Sequence, residues 1–159
     1  MKKMDTKIGK HPFPECFPVW AWYQYNDNKR RKPDLRARRF LPKGEKGVRL
    51  EIIKNEKDVL LSDFMLWGFP YSYHGFIGQN EIESVAFDEM LERKGLDKTN
   101  IGKLPKDIRT KIVKSWDKIF DLDFDDPYHA EPRNTKVIQA TFWTLSLEEV
   151  VKVDQFVAR

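Results

Sequence analysis

Only two stretches of this chain, residues 81–94 and 105–121, repeat apolar side chains at the three- and four-residue steps of an amphipathic helix. In EIESVAFDEMLERK the apolar places are Ile82, Val85, Ala86, Met90 and Leu91. Acidic residues open the stretch, basic ones close it, and Gly95 supplies the stop. In the second stretch Pro105 stands where proline is favoured at a helix start, and Ile108, Ile112, Val113, Trp116, Ile119 and Phe120 form the stripe.

Strand chemistry lies on both sides of this helical middle. VWAWYQY (19–25) is dense in β-branched and aromatic residues, VRLEII (48–53) opens on an apolar–polar alternation, and TKVIQATFWTL (135–145) is the strongest strand signal in the chain. Residues 36–40 suggest a short strand, followed by the turn chemistry of LPKGEKG. Residues 59–61 run into Ser62 and Asp63, read as caps of a short helix at 64–67. Ser146 with Glu149 fits a capping box before a last strand at 150–157. Strands, two main amphipathic helices, then strands predict an α+β fold on a mixed or mostly antiparallel sheet. At 159 residues the expectation is one domain, with residues 1–16 as an extended lead-in because Pro12 and Pro14, with Pro18 after them, disfavour regular structure.

The charge is bipolar. The net charge is +4, yet residues 29–49 hold ten basic side chains against Asp34 and Glu45. Residues 117–131 hold Asp117, Asp121, Asp123, Asp125, Asp126 and Glu131 against Lys118 alone. No apolar run approaches the roughly 20 residues of a membrane helix, and MKKMDTKIGK has no apolar leader core. With the single cysteine Cys16 this points to a cytoplasmic protein in a reducing compartment without membrane contact. Gly-rich phosphate loops, zinc spacings and dinucleotide fingerprints are absent from the sequence, so no cofactor is expected. Asp121, Asp123 and Asp125 imitate a calcium loop, but Asp126 and Pro132 occupy the places that require glycine and glutamate.

The most informative constellation is the basic run Lys29, Arg30, Arg31, Lys32, Arg36, Arg38 and Arg39 beside Trp20 and Trp22. Cations next to rings suit a nucleic-acid backbone and its bases, or else an acidic protein surface. Within it, Pro33 gives Lys32, Asp34 and Arg36 defined directions. Asp34 either orients an arginine fork or makes a local turn. Asp34 and Asp63 are the candidate acids or bases, and Trp20 or Trp22 the candidate stacking rings. His11, His74 and His129 fall in different loops, and sequence order yields no nucleophile triad from them.

PVWAWYQ, KPDLR, LLSDFxLW, SWDKIFD, QATFW and the LEEVV tail resemble a family of uncharacterised bacterial proteins, DUF3841, across most of the chain. Its motif positions correspond to Trp20, Trp22, Lys32, Asp34, Arg36, Ser62, Asp63, Trp67, Ser115, Trp116, Asp121, Gln139 and Trp143. The resemblance implies relatives with an additional N-terminal strand and helix, and it supplies no mechanism. Three readings stand: a module binding nucleic acid or another polyanion through residues 29–39, a nucleotide-handling transferase or hydrolase with a Trp/Arg/Asp pocket, or an inhibitor or adaptor, of the kind mobile elements encode, using its acidic loop against a host protein.

Overall fold

The computed structural model describes residues 2–25, 29, 32–73 and 75–159. The described elements run α1 (Lys2–Lys7), β1 (Val19–Gln24), β2 (Lys46–Ile52), β3 (Leu60–Asp63), α2 (Glu81–Arg93), α3 (Lys106–Ser115), β4 (Ile138–Phe142) and β5 (Val150–Val157), with short 3-10 turns and one π-helical turn, Phe69–Tyr73, between them. One sheet has the strand order β1, β4, β3, and β2 pairs antiparallel with β5. The fold is α+β, as the helical middle and flanking strands require. No helix among the described residues is long and apolar enough to cross a membrane.

Local structure departs from expectation at places with identifiable causes. The lead-in is not extended throughout: Lys2–Lys7 is helical. Residues 36–40 form successive turns, started when Ala37 N–H donates to Asp34 O at 3.0 Å. Leu60–Asp63 is strand, so Ser62 and Asp63 belong to β3. Of the two, only Asp63 caps the following turn, its Oδ1 accepting Met65 N–H at 2.9 Å. The second helix ends at Ser115 and tightens into a 3-10 turn over Trp116–Phe120. Ser115 Oγ donates to Ile112 O at 2.7 Å and accepts Ile77 N–H at 3.0 Å, tying the helix end to the neighbouring segment.

The chain divides into two compact units, each drawn from separated stretches. One comprises residues 1–21, 31–60 and 140–159; the other comprises 22–30 and 61–139. In the second unit, α2 starts where Asn80 Oδ1 accepts Glu83 N–H at 2.9 Å and is followed by Gly95 at φ 63°, a left-handed value that glycine takes without strain. Phe87 and Leu91 face inward, whereas Ile82 is 80% exposed. They pack with Phe76, Leu104, Ile108 and Ile112, and the Phe76 and Phe87 rings stack at 4.4 Å. A second cluster gathers Leu66, Ile77, Ile119 and Ala130.

The first unit is organised by the β2–β5 ladder. Its register sets Gly47 opposite Phe156, Arg49 opposite Asp154 and Glu51 opposite Lys152 on one face. Val48 opposite Gln155 and Leu50 opposite Val153 lie on the other. The apolar–polar alternation is present but inverted in burial: Val48, Leu50 and Val153 are exposed, while Arg49 and Glu51 are half-buried. Gly47 is required by close approach, since a Cβ there would overlap the Phe156 ring and come within 2.8 Å of Leu41 Cδ1. Gly47→Ala should therefore push Phe156 aside and cost about 1–3 kcal/mol in urea unfolding. An unchanged midpoint would show that the ring carries no packing role.

Candidate anion-binding pocket

The ladder and the turn before it build a pocket of about 510 Å³ within the first unit. Residues 32–36 supply one wall, Arg49 of β2 a second, and Lys152, Asp154, Gln155 and Phe156 of β5 a third. Buried Pro33 fixes the chain between Lys32 and Asp34. Asp34 Oδ1 accepts the Arg36 backbone N–H at 3.2 Å and its Nε–H at 2.8 Å, and Oδ2 accepts an Nη2–H at 3.1 Å. The carboxylate thus makes a local turn and holds a guanidinium fork at once, so both readings of KPDLR are realised together. Arg36 O accepts Arg159 N–H at 2.9 Å, which ties this turn to the chain end.

Each cation of the pocket meets a carboxylate. Lys32 pairs with Glu51, Arg49 Nη2 pairs with Asp154, and Lys152 Nζ lies 3.1 Å from Asp154 Oδ1. Four basic side chains share the lining with two acids, Asp34 and Asp154. The forks are consequently oriented but not saturated: Arg36 directs Nε and Nη2 at Asp34, and Arg49 Nε is buried with no hydrogen-bond partner among the described residues. The hydrogen bond from Arg36 holds Asp34 below its ordinary titration range. Lys32 does the same for Glu51, and Arg49, then Lys152, for Asp154. Because these groups titrate lower in the folded chain than in the unfolded one, their contribution is present above the unfolded carboxylate range and lost as pH falls through the folded values. Carboxyl NMR titration should show Asp34, Glu51 and Asp154 still ionised where a free carboxylate is half-protonated, and Arg36→Ala should move Asp34 up toward the ordinary range while the backbone N–H of residue 36 keeps part of the lowering.

The other sequence candidates fall elsewhere. Arg30 and Arg31 lie outside the described residues. Lys29 is exposed in a turn, Arg38 is exposed, and the Arg39 guanidinium sits 5.1 Å from the Phe40 ring centroid. Trp20 is 47% exposed, and the Trp22 ring meets Tyr25 and Phe64 edge-on at 5.4 and 5.1 Å. Neither tryptophan lines the pocket. Asp34 and Asp63 belong to different units. Asp63 is 1% exposed, and its Oδ2 accepts from Lys136 Nζ at 2.7 Å in a fully buried ion pair. With Oδ1 committed to Met65 N–H, this carboxylate is a structural anchor and not a solvent-facing acid or base.

The remaining resemblance positions act largely as fasteners. Trp67 Nε1–H donates to Ser62 Oγ at 3.1 Å, Trp116 Nε1–H to Gly75 O at 2.9 Å and Trp143 Nε1–H to Gly9 O at 2.8 Å. In the acidic loop Arg133 bonds Asp123 at 2.8 Å and His129 bonds Asp126 at 2.7 Å. Among the described residues no three His, Cys, Asp or Glu side chains converge as metal ligands. Sequence reasoning missed Arg49, Lys152, Asp154 and Phe156. For the three charged residues the signal was the charge at every second place in VRLE and VKVD, which becomes a site only once the two strands are in register.

Lys136→Met removes the ionic partner of buried Asp63 and leaves its Oδ2 without that bond, and should cost about 3–5 kcal/mol in chemical denaturation. Replacing both members, Asp63→Leu with Lys136→Met, should recover much of that loss. A mild single variant would show that water reaches the pair.

No curated protein and no solved structure matches this chain. The family described as Domain of unknown function (DUF3841) matches residues 1–151. That span takes in the pocket turn, the Asp63–Lys136 anchor and all three tryptophan fasteners, and the chain belongs to the DUF3841 family.

Proposed function

We propose that this chain is a binding module for nucleic acid or a related phosphate-bearing ligand, held at the pocket formed by Lys32, Arg36, Arg49 and Lys152. The observation that carries the reading is the convergence of four cations from three chain segments on one cavity of about 510 Å³. That volume lies within the roughly 300–1,000 Å³ range of ligand pockets. Phosphate oxygens suit forks whose direction is already set by Asp34 and Asp154, because an arginine held in place loses less freedom when it binds. Pro33, Leu35 and Phe156 add apolar wall on which a sugar or base can lie, and Phe156 takes the place in this reading that Trp20 and Trp22 held in the sequence. Arg38, exposed two residues beyond Arg36 in the same unit, adds a further cation near the pocket turn.

The alternative of a nucleotide-handling enzyme with a Trp/Arg/Asp pocket draws less support. Arg36 and Asp34 share the pocket, but Asp63 is buried against Lys136 and no tryptophan lines the cavity. The adaptor reading is weaker still, since Asp123 and Asp126 are engaged by Arg133 and His129.

The test is binding of fluorescein-labelled single-stranded DNA and RNA at 50 and 200 mM salt, with a nucleoside triphosphate as competitor. Four phosphate contacts predict an affinity loss of about 50-fold between these salt concentrations. Lys152→Ala should weaken binding to all sequences alike and flatten the salt slope. Salt-independent binding, or binding that survives the double variant Arg36→Ala/Lys152→Ala, would overturn the proposal.

A further inference from the structure

The second unit holds an arrangement that the histidine positions in the sequence do not reveal. Ser84 Oγ lies 2.8 Å from His129 Nε2, and His129 Nδ1 lies 2.7 Å from Asp126 Oδ1. Asp126 Oδ1 also accepts the backbone N–H groups of Tyr128 and His129, each at 3.2 Å, so the carboxylate is held in place. Asp126 Oδ1, an oxygen that accepts, selects the tautomer with the hydrogen on Nδ1, which leaves Nε2 as the acceptor facing Ser84. Gly78 N–H donates to Ser84 Oγ at 3.0 Å and thereby occupies one of its lone pairs. The Ser84 hydroxyl proton is then directed at Nε2. A Cβ at Gly78 would come within 2.7 Å of Ser84 Oγ, so only glycine brings its amide this close.

We infer that Ser84, His129 and Asp126 form a nucleophile–base–orienter relay able to attack carboxylic esters with apolar acyl groups. Hydroxyl, base and carboxylate stand in the order and at the separations that acyl transfer requires. Ser84 is in the first turn of α2, where the positive end of the helix favours charge developing on oxygen. It keeps partial exposure, and the imidazole beside it is covered by Phe69, Phe124 and Tyr128, with ring centroids at 5.9, 6.4 and 4.8 Å. These rings supply the apolar surroundings for the acyl chain. In the reaction Ser84 Oγ bonds to the acyl carbon as its proton passes to Nε2. The ester C–O bond breaks and the alcohol leaves with that proton. Water then attacks the acyl carbon as it gives a proton to Nε2, the acyl–Oγ bond breaks, and that proton passes to Oγ, so the carboxylic acid leaves with Ser84 and His129 restored.

The test uses a fluorophosphonate probe on the full chain, read by intact mass and peptide mapping. Attack by Oγ forms an O–P bond and expels fluoride. The expected result is one adduct per chain, located on Ser84, absent from Ser84→Ala and formed at least ~100-fold more slowly in His129→Gln, in keeping with the loss of a general base. Hydrolysis of p-nitrophenyl acetate should fall in parallel. The urea-unfolded wild-type chain serves as the reference and should label no faster than His129→Gln, so the comparison stands even where that variant is unstable. Failure of folded wild-type protein to label at Ser84, or labelling at equal rates in folded and unfolded chains, would overturn the inference and identify the relay as a packing network.

Discussion

The antiparallel register of β2 against β5 is the constraint on which the first unit's chemistry depends. It sets Arg49 beside Asp154, Glu51 opposite Lys152 and Gly47 under Phe156, all on one face. Side chains alternate with a period of two, so a slip of one residue would send every charge to the opposite face and bring Val48, Leu50 and Val153 into the pocket wall. Several contacts hold the register against that slip. Gly47 admits the Phe156 ring where any other residue would obstruct it, and the chain end returns through Ala158 N–H to Glu45 O at 2.8 Å and Gly44 N–H to Ala158 O at 2.9 Å. The turn at residues 32–36 is then tied on by Lys32 to Glu51 and by Arg159 to Arg36.

Buried polar groups do comparable work in the second unit. Asp63 and Lys136 are nearly inaccessible, and a charge in such a place is tolerable only because the partner and Met65 N–H replace the lost water. Lys136 also accepts through its carbonyl from Gln24 Nε2 at 3.0 Å, and the same amide donates to Arg133 O at 2.7 Å. One short segment thereby receives β1 and β3 at once. The Ser84–His129–Asp126 arrangement likewise ties the start of α2 to the acidic loop. Polar bonds of this kind demand particular partners in a way that apolar packing does not. They therefore select one arrangement of loops that hydrophobic burial alone would leave degenerate.

Much of the secondary structure is legible in the residues because its causes are local. The β5 limits and the capping box of Ser146 and Glu149 follow from neighbouring residues, as does the start of α2 near its acidic first turn. Where distant partners intervene, the local reading fails. The SWDKIFD helix tightens at Ser115 because that hydroxyl serves Ile77, 38 residues away. LLSD is strand because Phe64 N–H continues onto Val137 O at 2.8 Å and Asp63 meets Lys136, 73 residues on. Ile82 turned out exposed because Phe87 and Leu91, one helical turn apart, define the face that Phe76 and Ile112 cover.

By itself the sequence determined the α+β class, the two amphipathic segments, the bipolar charge and the fact that KPDLR gathers an acid between cations. Each of these depends on residue type and near-neighbour spacing, which are written along the chain. Only the tertiary structure decided which charges act together: it spent Asp63 on Lys136, joined Arg36 to Arg49 and Lys152, and brought Ser84 to a histidine 45 residues away. Such groupings depend on strand register and loop placement. Those are set by the summed packing and hydrogen bonding of remote segments, which no local pattern encodes.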